Sequence, residues 1–276
     1  MPAMPSRPLA PSPFVREAGH DGTPVVLLHS SASSSSQWRA LMESLSAQHR
    51  VLAPDLRGCG KSAPWHFQRP LRLDDEVDAL AEVFERAGPR FHLVGHSFGG
   101  AVALRAALRH ADRLASLTLF EPVLFSLLIA AAPDSEGARE IDAISRHTTQ
   151  LLDAGQLEAA TEAFVDYWMG AGRYASTPEA KRPNLQAGLP AVKGHWQALF
   201  GEPTPLSAWA SLPCPCLLMT GERSRASALG VAAQLRQVLP RLSTVNIPGA
   251  GHMAPVTHPD PVNAAIAAFI AGQDKA

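Results

Sequence analysis

Six short apolar runs, each bounded by turn residues, alternate with amphipathic stretches along this chain. They span 24–29, 50–54, 91–95, 114–120, 216–220 and 243–247. Each run is continuous rather than alternating, which is the pattern of a strand covered on both faces. Between them, 37–48 sets Trp38, Leu41, Met42 and Leu45 on one stripe. The stretch 74–87 does the same with Val77, Leu80, Ala81 and Phe84. The stretches 98–110, 226–239 and 261–270 read as further helices. Strand and helix in turn predict an α/β fold, with a mostly parallel central sheet and helices on both faces.

One region breaks the alternation. Residues 123–206 hold no clear strand; 141–152 and 156–168 read as helices, and the rest is rich in Gly, Pro and aromatics. This predicts a helical lid insertion over the carboxyl edge of the sheet. The expected division is a first core part at 1–122, a lid at 123–206 and a second core part at 207–276.

Composition narrows the class. Hydrophobic residues make up 46% and charged residues 18% of 276, far from the composition of a disordered chain. Lys plus Arg number 24 against 25 Asp plus Glu, so no global field attracts nucleic acid or an anionic membrane. No apolar run approaches the ~18–20 residues of a membrane span. Residues 1–13 are proline-rich without an apolar signal core and read as an irregular arm. Three cysteines make no disulfide framework, and Cys214 and Cys216, either side of Pro215, read as buried thiols. These features together predict a cytoplasmic protein.

The chemistry is expected at strand ends. Gly95-His96-Ser97-Phe98-Gly99 follows the strand at 91–94 and precedes a helix. A sharp strand-to-helix turn there strains Ser97 and leaves no room for side chains at Gly95 or Gly99. It also sets the following amide at a helix N-terminus, where developing negative charge is favoured. A serine hydroxyl needs a base. Among eleven histidines, His252 follows the last strand on the glycine-rich loop Pro248-Gly249-Ala250-Gly251. His29 ends the first run and reads as a buttress of the loop after it. His96 is expected to point away from the nucleophile, and His49, His110 and His147 fall at helix ends or faces, as solvated or capping groups. No His, Asp or Glu cluster has zinc spacing, so neither metal nor cofactor is expected.

Taken together, His29 with its small-residue loop, Asp55-Leu56-Arg57-Gly58-Cys59-Gly60-Lys61-Ser62, the turn at Ser97 and Gly251-His252 resemble the α/β-hydrolase family over nearly the whole chain. The resemblance implies hydrolysis, or related chemistry, through an acyl-enzyme on Ser97 with His252 as base. It does not imply a substrate.

The sequence departs from the family pattern twice. Where the family has His-Gly, this chain has His29-Ser30-Ser31-Ala32. The resemblance maps one oxyanion amide onto Ser31 and the other onto Phe98. The Ser30 or Ser31 hydroxyl either adds a hydrogen bond or satisfies the loop itself. The family's acid usually closes a Gly-x-x-Asp segment after the penultimate strand, and here that segment is Gly221-Glu222-Arg223-Ser224. A neutral serine does not stabilise an imidazolium. Glu121, at the end of the strand 114–120, is the leading replacement, because some branches of the family carry the acid there. Glu222 is the alternative, and a broken triad the third case. Asp260 reads as a start signal for the last helix.

Phe125, Trp168 and Trp196 of the insertion, with Ser30, are candidates for the pocket wall, joined by Trp65 and Phe67. The expected partner is a small, largely apolar acyl substrate, and the leading activity is serine hydrolysis of an ester. Alternatives are C–C hydrolase, lyase or perhydrolase chemistry on the same scaffold, or a ligand receptor that has kept the fold.

Overall fold

The computed structural model describes residues 12–65 and 69–275. Phe67 and nearly all of the N-terminal arm lie outside these residues. Seven strands form one sheet: β1 (Val15–Ala18), β2 (Val25–Leu28), β3 (Val51–Pro54), β4 (Phe91–His96), β5 (Leu114–Phe120), β6 (Cys216–Gly221) and β7 (Leu242–Ile247). Their order is β1-β3-β2-β4-β5-β6-β7. All neighbours pair in parallel except β1, which runs antiparallel to β3 at the edge. The chain thus has the α/β-hydrolase fold that its sequence resembles.

Because successive side chains point to opposite faces, the continuous apolar runs feed two cores. Val25 and Leu27 join Leu41, Leu45, Val262 and Ile266 on one face. Val26 and Leu28 join Val77, Phe84, Val102 and Val231 on the other. The first face is covered by α1 (Arg39–Leu45) and, late in the chain, by the C-terminal helix. The second carries α2 (Leu73–Ala79), α3 (Ala81–Ala87) and α4 (Phe98–Arg109). The stripe expected as one helix over 74–87 breaks at Leu80, which joins α2 to α3.

Between β5 and β6 the chain inserts five helices: α5 (Phe125–Ala131), α6 (Glu136–Asp153), α7 (Leu157–Met169), α8 (Arg182–Gln186) and α9 (Leu189–Gly201). α6 is capped by Ser135, whose side chain accepts from the Ala138 amide. After β6 come α10 (Ala226–Arg236), α11 (Ala254–Thr257) and α12 (Pro259–Asp274), with Asp260 in the first turn of α12. Among the described residues no helix is long and apolar enough to cross a membrane. Cys59, Cys214 and Cys216 are free and buried. His49 departs from its expected solvated place: it is 4% exposed and lies 2.9 Å from the Thr23 carbonyl and 3.6 Å from Asp274, which pins α12 to the sheet.

Candidate active site

Three strand ends converge on one point. Ser97 follows β4, Glu121 follows β5, and His252 follows β7 across the turn 248–251. Four non-glycine residues described here have a left-handed φ: Ser97 (+55°) and Glu121 (+42°) stand at two of these turns, Ala32 (+53°) in the loop after β2, and Arg241 (+47°) elsewhere. Such conformations persist only where the surroundings impose them. At Ser97 the strand ladder does so: its amide donates to the Phe120 carbonyl at 3.0 Å, and the Gly99 amide reaches the His29 carbonyl at 3.1 Å. A Cβ on Gly99 would lie 2.4 Å from two backbone oxygens, and one on Gly95 2.5 Å from the Gly99 carbonyl. The turn can be this tight only with glycine on both sides of the serine.

The side chains form a continuous chain of hydrogen bonds. Ser97 Oγ lies 2.9 Å from His252 Nε2, and His252 Nδ1 lies 2.7 Å from Glu121 Oε2. With Nδ1–H donated to the carboxylate, Nε2 is left to accept from the serine hydroxyl. Ser97, His252 and Glu121 are 5%, 2% and 0% exposed. The second Glu121 oxygen accepts from the Gly221 amide at 2.6 Å and from Ser224 Oγ. The residue in the family's usual acid position therefore hydrogen-bonds the carboxylate one strand away. Glu222 is turned elsewhere, its exposed carboxylate accepting from the Gly249 amide at 2.6 Å.

A second polar network stands behind the first. His96 makes no hydrogen bond to Ser97 and serves the His252 backbone instead. Its Nε2–H donates to the His252 carbonyl at 2.9 Å, while its Nδ1 accepts from Gln37 Nε2 at 3.1 Å. Gln37 Oε1 in turn accepts from the Ser30 amide and hydroxyl. Burial, with the neighbouring His252 second, holds His96 well below the usual imidazole range, so it stays a neutral donor–acceptor pair. His29 is likewise neutral, pushed down to about 4 by burial. It accepts from the Leu56 amide at 2.9 Å and donates to the Ser30 carbonyl at 2.7 Å, fastening the loop after β2 to the 55–62 segment. That segment is ordered by Asp55, whose carboxylate accepts from the Ser35 and Lys61 amides.

The pocket residues divide. Trp168 stacks on His252, ring centroids 4.0 Å apart, and lines a cavity of about 1020 Å³ beside it. Phe125 and Trp196 do not line this cavity. They pack into the core of the insertion with Phe164 and Phe200, and Trp196 donates to Thr148 Oγ1. Ser30 is 2% exposed and committed to Gln37. The cavity lining joins Met169, Leu229 and Val256 to Arg173, Arg223 and Glu136, so it carries more charge than the sequence led one to expect. Trp65 lines a second cavity, of about 530 Å³, which Pro190, Gly194 and His195 of α9 also wall. Among the described residues no cluster of His, Cys, Asp or Glu is suited to a metal.

This fold and this site define an enzyme class, and the sequence comparison agrees: the chain belongs to the alpha/beta hydrolase family, whose profile matches residues 25–265. Among its relatives is 2-hydroxymuconate semialdehyde hydrolase of Pseudomonas sp. (strain CF600), 26% identical over 95% of this chain and 93% of that protein. Another is pimeloyl-[acyl-carrier protein] methyl ester esterase of Nitrosomonas europaea, 29% identical over 88% of this chain and 94% of that one. Among solved structures, a thermophilic esterase from Thermogutta terrifontis superposes with a TM-score of 0.73 at 27% identity, covering 95% and 93% of the two chains.

Proposed function

We propose that this alpha/beta hydrolase is a serine hydrolase that cleaves a carboxylic ester or related acyl compound through an acyl-enzyme on Ser97. The observation that carries the reading is the chain from Ser97 Oγ through the His252 ring to Glu121, both links within hydrogen-bond reach.

In this reading Ser97 Oγ attacks the acyl carbon as its proton passes to His252 Nε2. Glu121 stabilises the imidazolium and fixes its tautomer. The oxyanion is met by the amides of Phe98, which heads α4 without an intrahelical acceptor, and of Ser31. His252 returns its proton to the leaving alcohol oxygen as the C–O bond breaks. Water, deprotonated by the same nitrogen, then attacks the acyl-enzyme. The acid product leaves and Ser97 regains its proton. The insertion acts as a lid, with Trp168 beside His252 on the wall of the large cavity. Ester-cleaving names among the relatives support the ester reading. The mixed lining of the cavity favours a small substrate with an apolar body and at least one polar group.

The test is a series of p-nitrophenyl esters of rising acyl length together with an alkyl fluorophosphonate. The expected result is turnover of part of the series and a single phosphonyl adduct on Ser97, both lost in Ser97→Ala. Turnover that survives Ser97→Ala contradicts the reading.

A further inference from the structure

One side chain of the insertion touches both residues to which the oxyanion amides are assigned. His195 of α9 is 1% exposed. Its Nδ1 lies 3.0 Å from Ser31 Oγ, a residue 164 positions earlier. Its ring lies almost flat on that of Phe98, centroids 3.8 Å apart and planes 19° from parallel. The same helix closes on the loop at its start. A Cβ on Gly188 would stand 2.6 Å from the Ala32 Cα, and Ala32 is held at φ +53°.

The other end of the loop is fastened separately. The Ser30 amide and hydroxyl both donate to Gln37 Oε1, at 3.2 and 3.0 Å. The Ser30 amide is therefore occupied, and Ser31 is held through its hydroxyl by the insertion. This gives physical content to the sequence Ser30-Ser31, each hydroxyl of which has its own partner on a different element.

We propose that His195 is a positioning residue for the oxyanion hole, holding Ser31 by a hydrogen bond and Phe98 by ring stacking. One insertion side chain thereby fixes both amide donors. The proposal rests on the acyl-transfer reading above. An oxyanion hole acts because its donors are placed before charge develops, and each donor is worth about 10²–10³ in turnover. A displacement of about 1 Å costs roughly 10². Ser31 lies on a loop, so its amide is placed only as well as the loop is held. His195 is no acid or base in the reaction: burial pushes its imidazole down to about 3, so it is neutral at any working pH. The consequence is a coupling between the insertion and the chemistry. When α9 lifts from the loop, the donors lose their support, and the site is competent only with α9 seated.

The experiment compares His195→Phe, Ser31→Ala, the double variant, Ser97→Ala and, as a control on the same helix, the exposed Gln197→Ala. His195→Phe keeps the ring on Phe98 and deletes Nδ1; Ser31→Ala deletes the other end of that hydrogen bond and keeps the amide. Thermal unfolding first establishes that each variant is folded. The readouts are kcat and KM on the best p-nitrophenyl ester, the affinity of an alkyl boronic acid as tetrahedral mimic, and that of the carboxylic acid product. The expected result is a loss in kcat of roughly tenfold to a hundredfold in both single variants, with KM within about twofold. Boronic acid affinity falls by a similar factor and product affinity does not. The double variant is no worse than either single one, and Gln197→Ala matches wild type. Folded His195→Phe and Ser31→Ala with wild-type kcat, losses that fall on KM, or losses that multiply in the double variant overturn the proposal. Ser97→Ala separates the levels: activity that survives it removes the acyl-enzyme reading itself, whereas loss in Ser97→Ala with intact His195→Phe removes only the positioning role.

Discussion

Ser224 donates a hydrogen bond to Glu121, through the carboxylate oxygen that His252 does not use. The position where the family usually keeps its acid thus holds the carboxylate proposed as the acid, after the neighbouring strand. With the Gly221 amide on the same oxygen, Glu121 is held from two sides and its free rotation is removed. Ser224→Ala should lower kcat about tenfold, the cost of one hydrogen bond to a charged group, with the fold intact. Steady-state kinetics check this, and unchanged kcat would show that the Gly221 amide alone suffices.

Trp168 lines the large cavity side by side with His252, its ring stacked on the imidazole. Ser97 is only 5% exposed, so a substrate in the cavity reaches it by displacing Trp168 or using the space beside it. Trp168→Ala should therefore raise the ratio of turnover on long-chain to short-chain p-nitrophenyl esters several-fold, and speed labelling by a bulky phosphonate. A ratio equal to that of wild type would place the entry route elsewhere.

Gly99 carries the tightest packing of the turn at Ser97. A methyl group there meets the Leu28 and His29 carbonyl oxygens, both backbone and neither able to withdraw. Gly99→Ala should cost about 3 kcal/mol of stability and most of the activity, because relief requires β2 and the turn to part. Denaturant unfolding measures the first and ester turnover the second; a stable, active variant would contradict the packing argument.

Four buried imidazoles make the fold acid-sensitive. Burial pushes His29 down to about 4 and His195 to about 3, and holds His92 and His96 below the usual range. The unfolded chain protonates these groups below about pH 6.5. Their stabilisation is present above that pH and lost as pH falls toward about 4. Glu76 acts in the opposite sense. Burial raises its carboxyl to about 7, so it weakens the fold as pH climbs from its ordinary value, about 4.3, to about 7. Four groups outweigh one, so the urea midpoint should fall steeply between pH 6.5 and 4.5. Glu76→Gln should stabilise the chain relative to wild type more at pH 8 than at pH 5, by on the order of 1–3 kcal/mol. A flat midpoint across the acid range, or a pH-independent effect of Glu76→Gln, would contradict these assignments.

What the sequence disclosed and what it hid follow from the range of the signals. Five strands were readable because burial on both faces writes a continuous apolar run, whereas β7, an edge strand with only Ile247 buried, showed through the turn residues around it. β1, with sequence Val-Arg-Glu-Ala at an edge and only partly buried, writes no such run and was missed. Helix α9 was hidden by Pro190 and Gly194 within it. Ser97 and His252 sit in short local patterns whose backbone demands show in the glycines. Glu121 could be suspected from its place at a strand end and from the serine at 224. Phe125 and Trp196 were misread because an aromatic in the insertion looks the same in sequence whether it packs the insertion or lines the pocket. His195, Gln37 and the role of His96 had no local signal, since His195 meets Ser31 from 164 positions away, Gln37 meets His96 from 59 and His96 meets His252 from 156, and only the sheet and the insertion bring them together.

The central claim is that the triad's acid is Glu121, at the end of β5, and not a residue of the 221–224 segment. The most direct measurement is kcat for Glu121→Gln beside Glu222→Gln, on the same ester and with both proteins shown to be folded. Removing the charge on the acid leaves His252 without its counter-ion and in the wrong tautomer, which costs about four orders of magnitude where it has been examined in other triads. Glu121→Gln is expected to fall by a similar order while Glu222→Gln, whose exposed carboxylate accepts from the Gly249 amide, stays within about threefold of wild type. A Glu121→Gln enzyme that keeps most of its turnover, or a Glu222→Gln enzyme that loses it, would contradict the account.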